Sequence, residues 1–154
     1  MRALAEELLE ASTLCAIATV ARGSRAHVNT AYFAWTPDLH VLWLSDPAAG
    51  HSRNLRANGS AAVAVYDSAQ TWGDPDRGIQ LFGAAGEADP GAEGAYTARF
   101  PGAEGSHLGA YLCYELVPRR VKLFHERALG TGTFVTARVS AGGVLAWERT
   151  EIYS

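Results

Sequence analysis

Long apolar runs are missing from this chain. No hydrophobic stretch approaches the roughly 20 residues that span a bilayer. The opening segment, Met1–Ser12, is mildly acidic and amphipathic, without the basic start and greasy centre of a secretory leader. Cysteine is scarce: Cys15 and Cys113 lie far apart in apolar segments, the setting of buried free thiols rather than of a disulfide framework. Charge is sparse and nearly balanced. Thirteen basic residues against 16 acidic ones leave a net charge of −3, which excludes a generally cationic nucleic-acid binder. Several catalytic signatures are absent too: no Gly-x-Gly-x-x-Gly after a strand, no Walker-type loop, no Gly-x-Ser-x-Gly elbow and no Cys-x-x-Cys. His27, His40, His51, His107 and His125 show no short metal-ligand spacing, so no metal is expected. These absences predict a cytoplasmic protein without nucleic-acid or membrane partners.

What remains is 154 residues with 48% apolar and 19% charged content, enough for one compact domain. Leu4, Leu8 and Ala11 share a face of a short helix over 3–11. Thr13–Val20, Ala26–Thr36 and His40–Ser45 read as three consecutive strands of an antiparallel meander, punctuated by Arg22-Gly23-Ser24 and Thr36-Pro37-Asp38. His51–Asn58 reads as a helix stopped by Asn58-Gly59. Ala61–Tyr66 is a strand, Asp67–Arg77 a polar loop, and Ile79–Glu87 a strand with glycines at 83 and 86. Pro90–Phe100 is helix-like and Pro101–Gly109 a loop. Tyr111–Val117 and Val121–His125 read as two strands divided by Pro118-Arg119-Arg120. After the 129–132 loop, Phe134–Val139 and Val144–Glu148 form a hairpin. Short consecutive strands with three helices favour a mainly β fold, a small antiparallel barrel rather than a βαβ sheet.

One segment carries a chemical signal. After Leu44-Ser45-Asp46 a strand ends, and a helix begins near His51-Ser52-Arg53. A helix N-terminus offers free N–H groups and partial positive charge, and an arginine fork matches phosphate oxygens. The same residues also fit a solvated helix face with a capping serine. Strand parity puts His27, Asn29, Ala31, Phe33 and Trp35 on one face and Val28, Thr30, Tyr32 and Ala34 on the other. Mixed polarity on both faces, with Phe33 and Trp35 on one, points to an interface between two copies.

The ordered set Leu14–Val20, Ala26-His-Val-Asn-Thr30, Leu44-Ser45, His51-Ser-Arg-Asn-Leu-Arg-Ala-Asn58, Ala61–Val65 and Gly78-Ile-Gln80-Leu-Phe-Gly83 resembles the FMN-binding split-barrel superfamily typified by pyridoxamine 5′-phosphate oxidase. Arg99-Phe100-Pro101, Tyr114–Pro118 and Leu129–Gly132 resemble a branch of small bacterial members. The resemblance implies a six- to eight-stranded antiparallel split barrel: N-terminal helix 1–12, barrel core 13–87, helical insertion 88–110 and C-terminal strands 111–154. It implies a homodimer with FMN at the subunit interface. Ser45, His51, Ser52 and Arg53 would meet the flavin phosphate; Asn29, Thr30, Ala31 and Tyr32 would lie along the ring. Gln80 would reach ring or ribityl oxygens, and Trp72 with the Gly130–Gly132 loop would come from the partner. His51 stands where many relatives have lysine, so phosphate binding would become pH-sensitive. The implied activity is a flavin-dependent oxidoreductase acting on a small molecule. The Arg- and Trp-containing tail of true pyridoxamine phosphate oxidases has no counterpart here, which argues against that reaction. The alternatives are a non-enzymatic flavin module and a split barrel holding F420 or haem. An F420 tail would call on Arg22, Arg25, Arg53 and Arg56.

Overall fold

Period-two burial builds the barrel. Cys15, Ile17 and Thr19, then Ala61, Val63 and Val65, then Ile79 and Leu81 point inward from successive strands. A computed structural model of the chain describes residues 1–103 and 109–153. The strands are β1 (Leu14–Ala21), β2 (Arg25–Tyr32), β3 (Ala34–Trp35), β4 (Val41–Ser45), β5 (Ser60–Tyr66), β6 (Arg77–Glu87), β7 (Leu112–His125), β8 (Thr133–Ser140) and β9 (Val144–Ile152). The helices are α1 (Arg2–Glu10), α2 (Gly50–Ala57), α3 (Glu93–Arg99) and α4 (Glu126–Leu129). The sheet runs β2-β1-β5-β6-β7-β4-β3, with β8 on β7 and β9 on β8, and every pairing is antiparallel. It curls into the half-barrel of a split-barrel fold.

α1 brings Ala5, Leu8 and Leu9, and α2 brings Leu55, into the same core as Ile17, Phe33 and Leu81. Trp43 and Tyr114, cross-strand neighbours, stack at 6.1 Å inside it. A second, smaller cluster of Ala34, Leu42 and Tyr96 seats α3 over β3 and β4. Arg99 ties that helix down. Its guanidinium donates to the carbonyls of Ser12 at 3.1 Å, Phe33 at 3.3 Å and Leu9 at 3.4 Å, and lies 4.8 Å from the Phe33 ring centre.

Several expectations change. The break at Pro118-Arg119-Arg120 is a bulge inside one 14-residue strand. Gly83 pairs with Pro118 and Phe82 with Arg120, leaving Arg119 as the extra residue. Tyr114, Leu116 and Pro118 are buried before the bulge, and Val121, Leu123 and His125 after it. The extra residue shifts the numbering of the buried positions by one, and both halves still face one core. Gly83 permits the approach, because a Cβ there would collide with the Val117 carbonyl oxygen. The strand expected over 26–36 ends at Tyr32. Phe33 donates its N–H to Thr13 instead, and Ala34–Trp35 begins a new pairing with β4. His40 lies outside β4. The helix expected from Pro90 starts at Glu93, because Gly91 takes φ +95° in the preceding turn. α4 is a fourth helix, and β9 runs four residues past Glu148, to Ile152. Pro101–Ala103 forms a 3-10 turn; the rest of the expected 101–109 loop, His107 included, lies largely outside the described residues.

Candidate functional site

β2 is the end strand of the sheet: β1 pairs with one side, and among the described residues no strand pairs with the other. Such an edge presents unpaired backbone N–H and C=O groups. Asn29, Thr30, Ala31 and Tyr32 of this strand line a groove of about 390 Å³. Leu44, Ser45, Asp46, Ala49 and His51 supply another wall, with Tyr96 and Tyr111 completing it. The volume lies within the range of small-molecule sites. Six of the residues expected from sequence are therefore neighbours here: Asn29, Thr30, Ala31, Tyr32, Ser45 and His51.

The groove floor is a buried hydrogen-bond cluster. Ser45 Oγ lies 2.6 Å from His51 Nε2 and 3.1 Å from Ser52 Oγ. Ser52, with no exposed surface, donates to the Asp46 carbonyl at 2.8 Å. Ser52 thus shapes the 46–49 turn rather than facing the groove. It is not a cap: the N-cap residue of α2 is Ala49, and no side chain caps the helix, which leaves its first N–H groups available. Asp46 turns a carboxylate oxygen onto the Ala48 N–H at 2.7 Å. Arg53 donates to the Ala48 carbonyl and Arg56 to that of Pro47 at 2.6 Å. Two guanidiniums therefore wrap the turn that forms the groove's rim.

Burial, and then the neighbouring His27, hold the His51 imidazole below its ordinary value of 6.5. His51 is therefore neutral near pH 7. The two rings lie 6.4 Å apart, and His27 Nδ1 is buried without a hydrogen-bond partner. Burial also pushes the Cys15 thiol up to about 12 and Cys113 to about 11, so neither is a nucleophile at neutral pH.

The other expected residues stand elsewhere. Gln80 sits on β6 between Ala64 of β5 and Lys122 of β7. Trp72 is fully exposed on the 67–76 loop. Gly130 and Gly132 flank the turn between α4 and β8. Within one chain none of these four reaches the groove. Arg22 and Arg25 lie at the β1–β2 turn, and Arg53 and Arg56 on α2. Phe33 is wholly buried in the core, and Trp35 donates its indole N–H to Glu10 at 2.7 Å. Both serve their own chain, so they do not mark an interface. Tyr96, Tyr111, Leu44 and Asp46 are groove residues that sequence reading missed. No spacing in the sequence marked them; Tyr96 reaches the groove only because α3 docks on β3 and β4. Among the described residues no group of three or more His, Cys, Asp or Glu side chains is placed to hold a metal. Nor, among the described residues, is any helix long and apolar enough to cross a membrane.

Comparison with known proteins adds to this geometry. A family model described as "Pyridoxamine 5'-phosphate oxidase" matches residues 1–125. No curated protein matches the sequence. A haem binding protein from Mycobacterium smegmatis is similar in structure, with a TM-score of 0.75 and 18% identity over 93% of this chain and 60% of that one. The chain thus spans less than two thirds of that longer protein. A Clostridium acetobutylicum protein related to general stress protein 26, of the pyridoxinephosphate oxidase family, has a TM-score of 0.65 and 11% identity over 90% of this chain and 94% of that one. A FAD-binding protein from Mesorhizobium loti has a TM-score of 0.58 and 16% identity over 79% and 91% respectively. At these identities the structural likeness concerns the fold.

Proposed function

This chain belongs to the pyridoxamine 5′-phosphate oxidase family, and on that premise we propose that its groove binds FMN and that the loaded protein is a flavin-dependent oxidoreductase of a small molecule. The observation that carries the reading is the edge of β2. Unpaired backbone groups along Asn29–Tyr32 border the groove, and the uncapped start of α2 stands at its other wall. A flavin offers both chemistries these walls fit: a ring edge of alternating donors and acceptors, and a phosphate. Bound there, it would supply hydride chemistry, while the protein binds and orients it.

The residues divide that task. The α2 N–H groups and Arg53 meet the phosphate charge, because His51 is neutral and its Nε2 is engaged by Ser45. Tyr32, Tyr96 and Tyr111 provide aromatic walls. A second copy would cover Val28 and Tyr32, which β2 leaves exposed, and would bring a partner's Gln80, Trp72 or 130–132 loop to the ring. Two unpaired cysteines fit a reducing, cytoplasmic setting.

The test is the colour and titration of the purified protein. The two-band spectrum of oxidised flavin and saturable quenching of FMN fluorescence are expected; colourless protein with no saturable FMN binding overturns the reading. Arg53→Ala should weaken FMN at least about tenfold, since charge-assisted bonds contribute roughly 1.5–3 kcal/mol. Affinity should stay flat from pH 7 upward. A fall over that range would restore an imidazolium as the anchor. Reduction of the bound flavin by NAD(P)H no faster than that of free FMN would leave binding intact and remove the enzyme reading. Haem is the second reading, favoured by the paired imidazoles of His27 and His51 beside the groove. A Soret band in place of the flavin bands would establish it.

A further inference from the structure

A second concavity, of about 690 Å³, lies on the outer face of β6, β7 and β8 and is lined by Arg119, Arg120, Arg138, Phe82 and Ser60. It shares no lining residue with the FMN groove. Its charge is unusual in a chain of net −3. Arg120 and Arg138 are directly opposed on neighbouring strands, where like charges repel. Arg119 is the bulged residue of β7, set out of the ladder. A second bulge, on β9, sets out Glu148, which takes Arg120 in two bonds at 2.9 and 3.2 Å. Arg120, with Arg138 and Arg149 nearby, holds the Glu148 carboxyl below its ordinary range. Among the described residues neither Arg119 nor Arg138 has a side-chain hydrogen bond or ion pair. Three guanidiniums against one carboxylate leave two positive charges in excess. Beside them Phe82 is 38% exposed, and an apolar trough past Ala18 and Ala62 runs on from Ser60 and Phe82.

We propose that this cleft is a second ligand site, which takes the phosphate group of a small phosphate monoester whose flat apolar body lies against Phe82. A phosphate dianion matches the excess charge, and the arginine forks match its oxygens in geometry. It also relieves the opposition of Arg120 and Arg138. Carboxylates fit less well, with one charge against an excess of two. Two bulges that converge on one row are a costly interruption of pairing, and bulges commonly re-aim a side chain at a site.

The probes are inorganic phosphate and phenyl phosphate, titrated calorimetrically into the full chain at fixed ionic strength, with and without saturating FMN. One saturable site per chain is expected with both probes, phenyl phosphate binding several-fold tighter. Arg119→Gln and Arg138→Gln should each weaken both probes at least about tenfold. Phe82→Ala should erase the advantage of phenyl phosphate alone. Arg119→Lys and Arg138→Lys, which keep the charge and lose the fork, should fall between wild type and Gln. They also serve as folded controls should a Gln variant unfold. No saturable heat, or equal affinity in wild type and both Gln variants, overturns the site. So does displacement of FMN by either probe, which would make the cleft part of the flavin groove. The cleft does not depend on the flavin reading: phosphate binding in protein that takes no FMN would support the one and reject the other.

Discussion

Burial leaves His51 with Nε2 engaged by Ser45 and a proton affinity below the ordinary 6.5. The unfolded chain takes a proton at this residue near that ordinary value, and the folded chain resists it. No stability is lost above pH 7. As pH falls through 6.5 the unfolded state gains a proton the folded state lacks, so stability drops until the depressed folded value is reached. The thermal midpoint should therefore fall between about pH 7 and pH 5, before Glu148 and Glu151 titrate. His51→Gln, which can still bond Ser45, should flatten that stretch; an unchanged slope would assign it to other groups. The resemblance marked His51 as a departure from the lysine of many relatives but not as a neutral residue. That depends on Ser45, His27 and a turn folded over it, none of which spacing reveals. Asn29–Tyr32 were legible because strand periodicity and an ordered motif coincide there. Tyr96 was not, because only the docking of α3 on β3 and β4 aims it at the groove.

α3 and β7 show how tertiary contact overrides local signals. Arg99 holds the last turn of α3 to the ends of α1 and β2 through three carbonyls. Arg99→Ala should cost about 2–3 kcal/mol, as buried acceptors lose a charged donor. It should also loosen FMN, because Tyr96 leaves its wall; a midpoint in urea unchanged within error would show the clamp idle. In β7, Pro-Arg-Arg reads as a stop because proline cannot donate to a ladder. The bulge satisfies that requirement without ending the strand. Gly83→Ala should destabilise by about 1–3 kcal/mol or more, since the new methyl meets Val117 backbone rather than a movable side chain. Wild-type stability would mean the strands can separate there. The β1–β2 and β8–β9 hairpins were readable from alternation and turn residues; the meander expected to continue into β4 was not, because β4 pairs with β7 and leaves β2 at the edge of the sheet. Phe33 was not, because alternation fails where the chain leaves β1 as its partner and takes β4.

For the molecule as a whole, β2 is both a wall of the groove and an uncovered edge. Val28 is 66% exposed, Tyr32 57% and the neighbouring Leu14 47%, an exposed row broken by Thr30 that a second copy would cover. Val28→Glu should shift the protein to monomer in sedimentation velocity and weaken FMN in parallel. A monomeric wild type at micromolar concentration would remove the second copy from the site. The extra residue of β7 also bears on the entire barrel. Excise Arg119 and the strand's numbering closes up: Val121, Leu123 and His125 fall into step with Tyr114, Leu116 and Pro118. No side chain would change sides. The barrel's interior is thus indifferent to this one link, so whatever keeps Arg119 in the chain acts from outside the core.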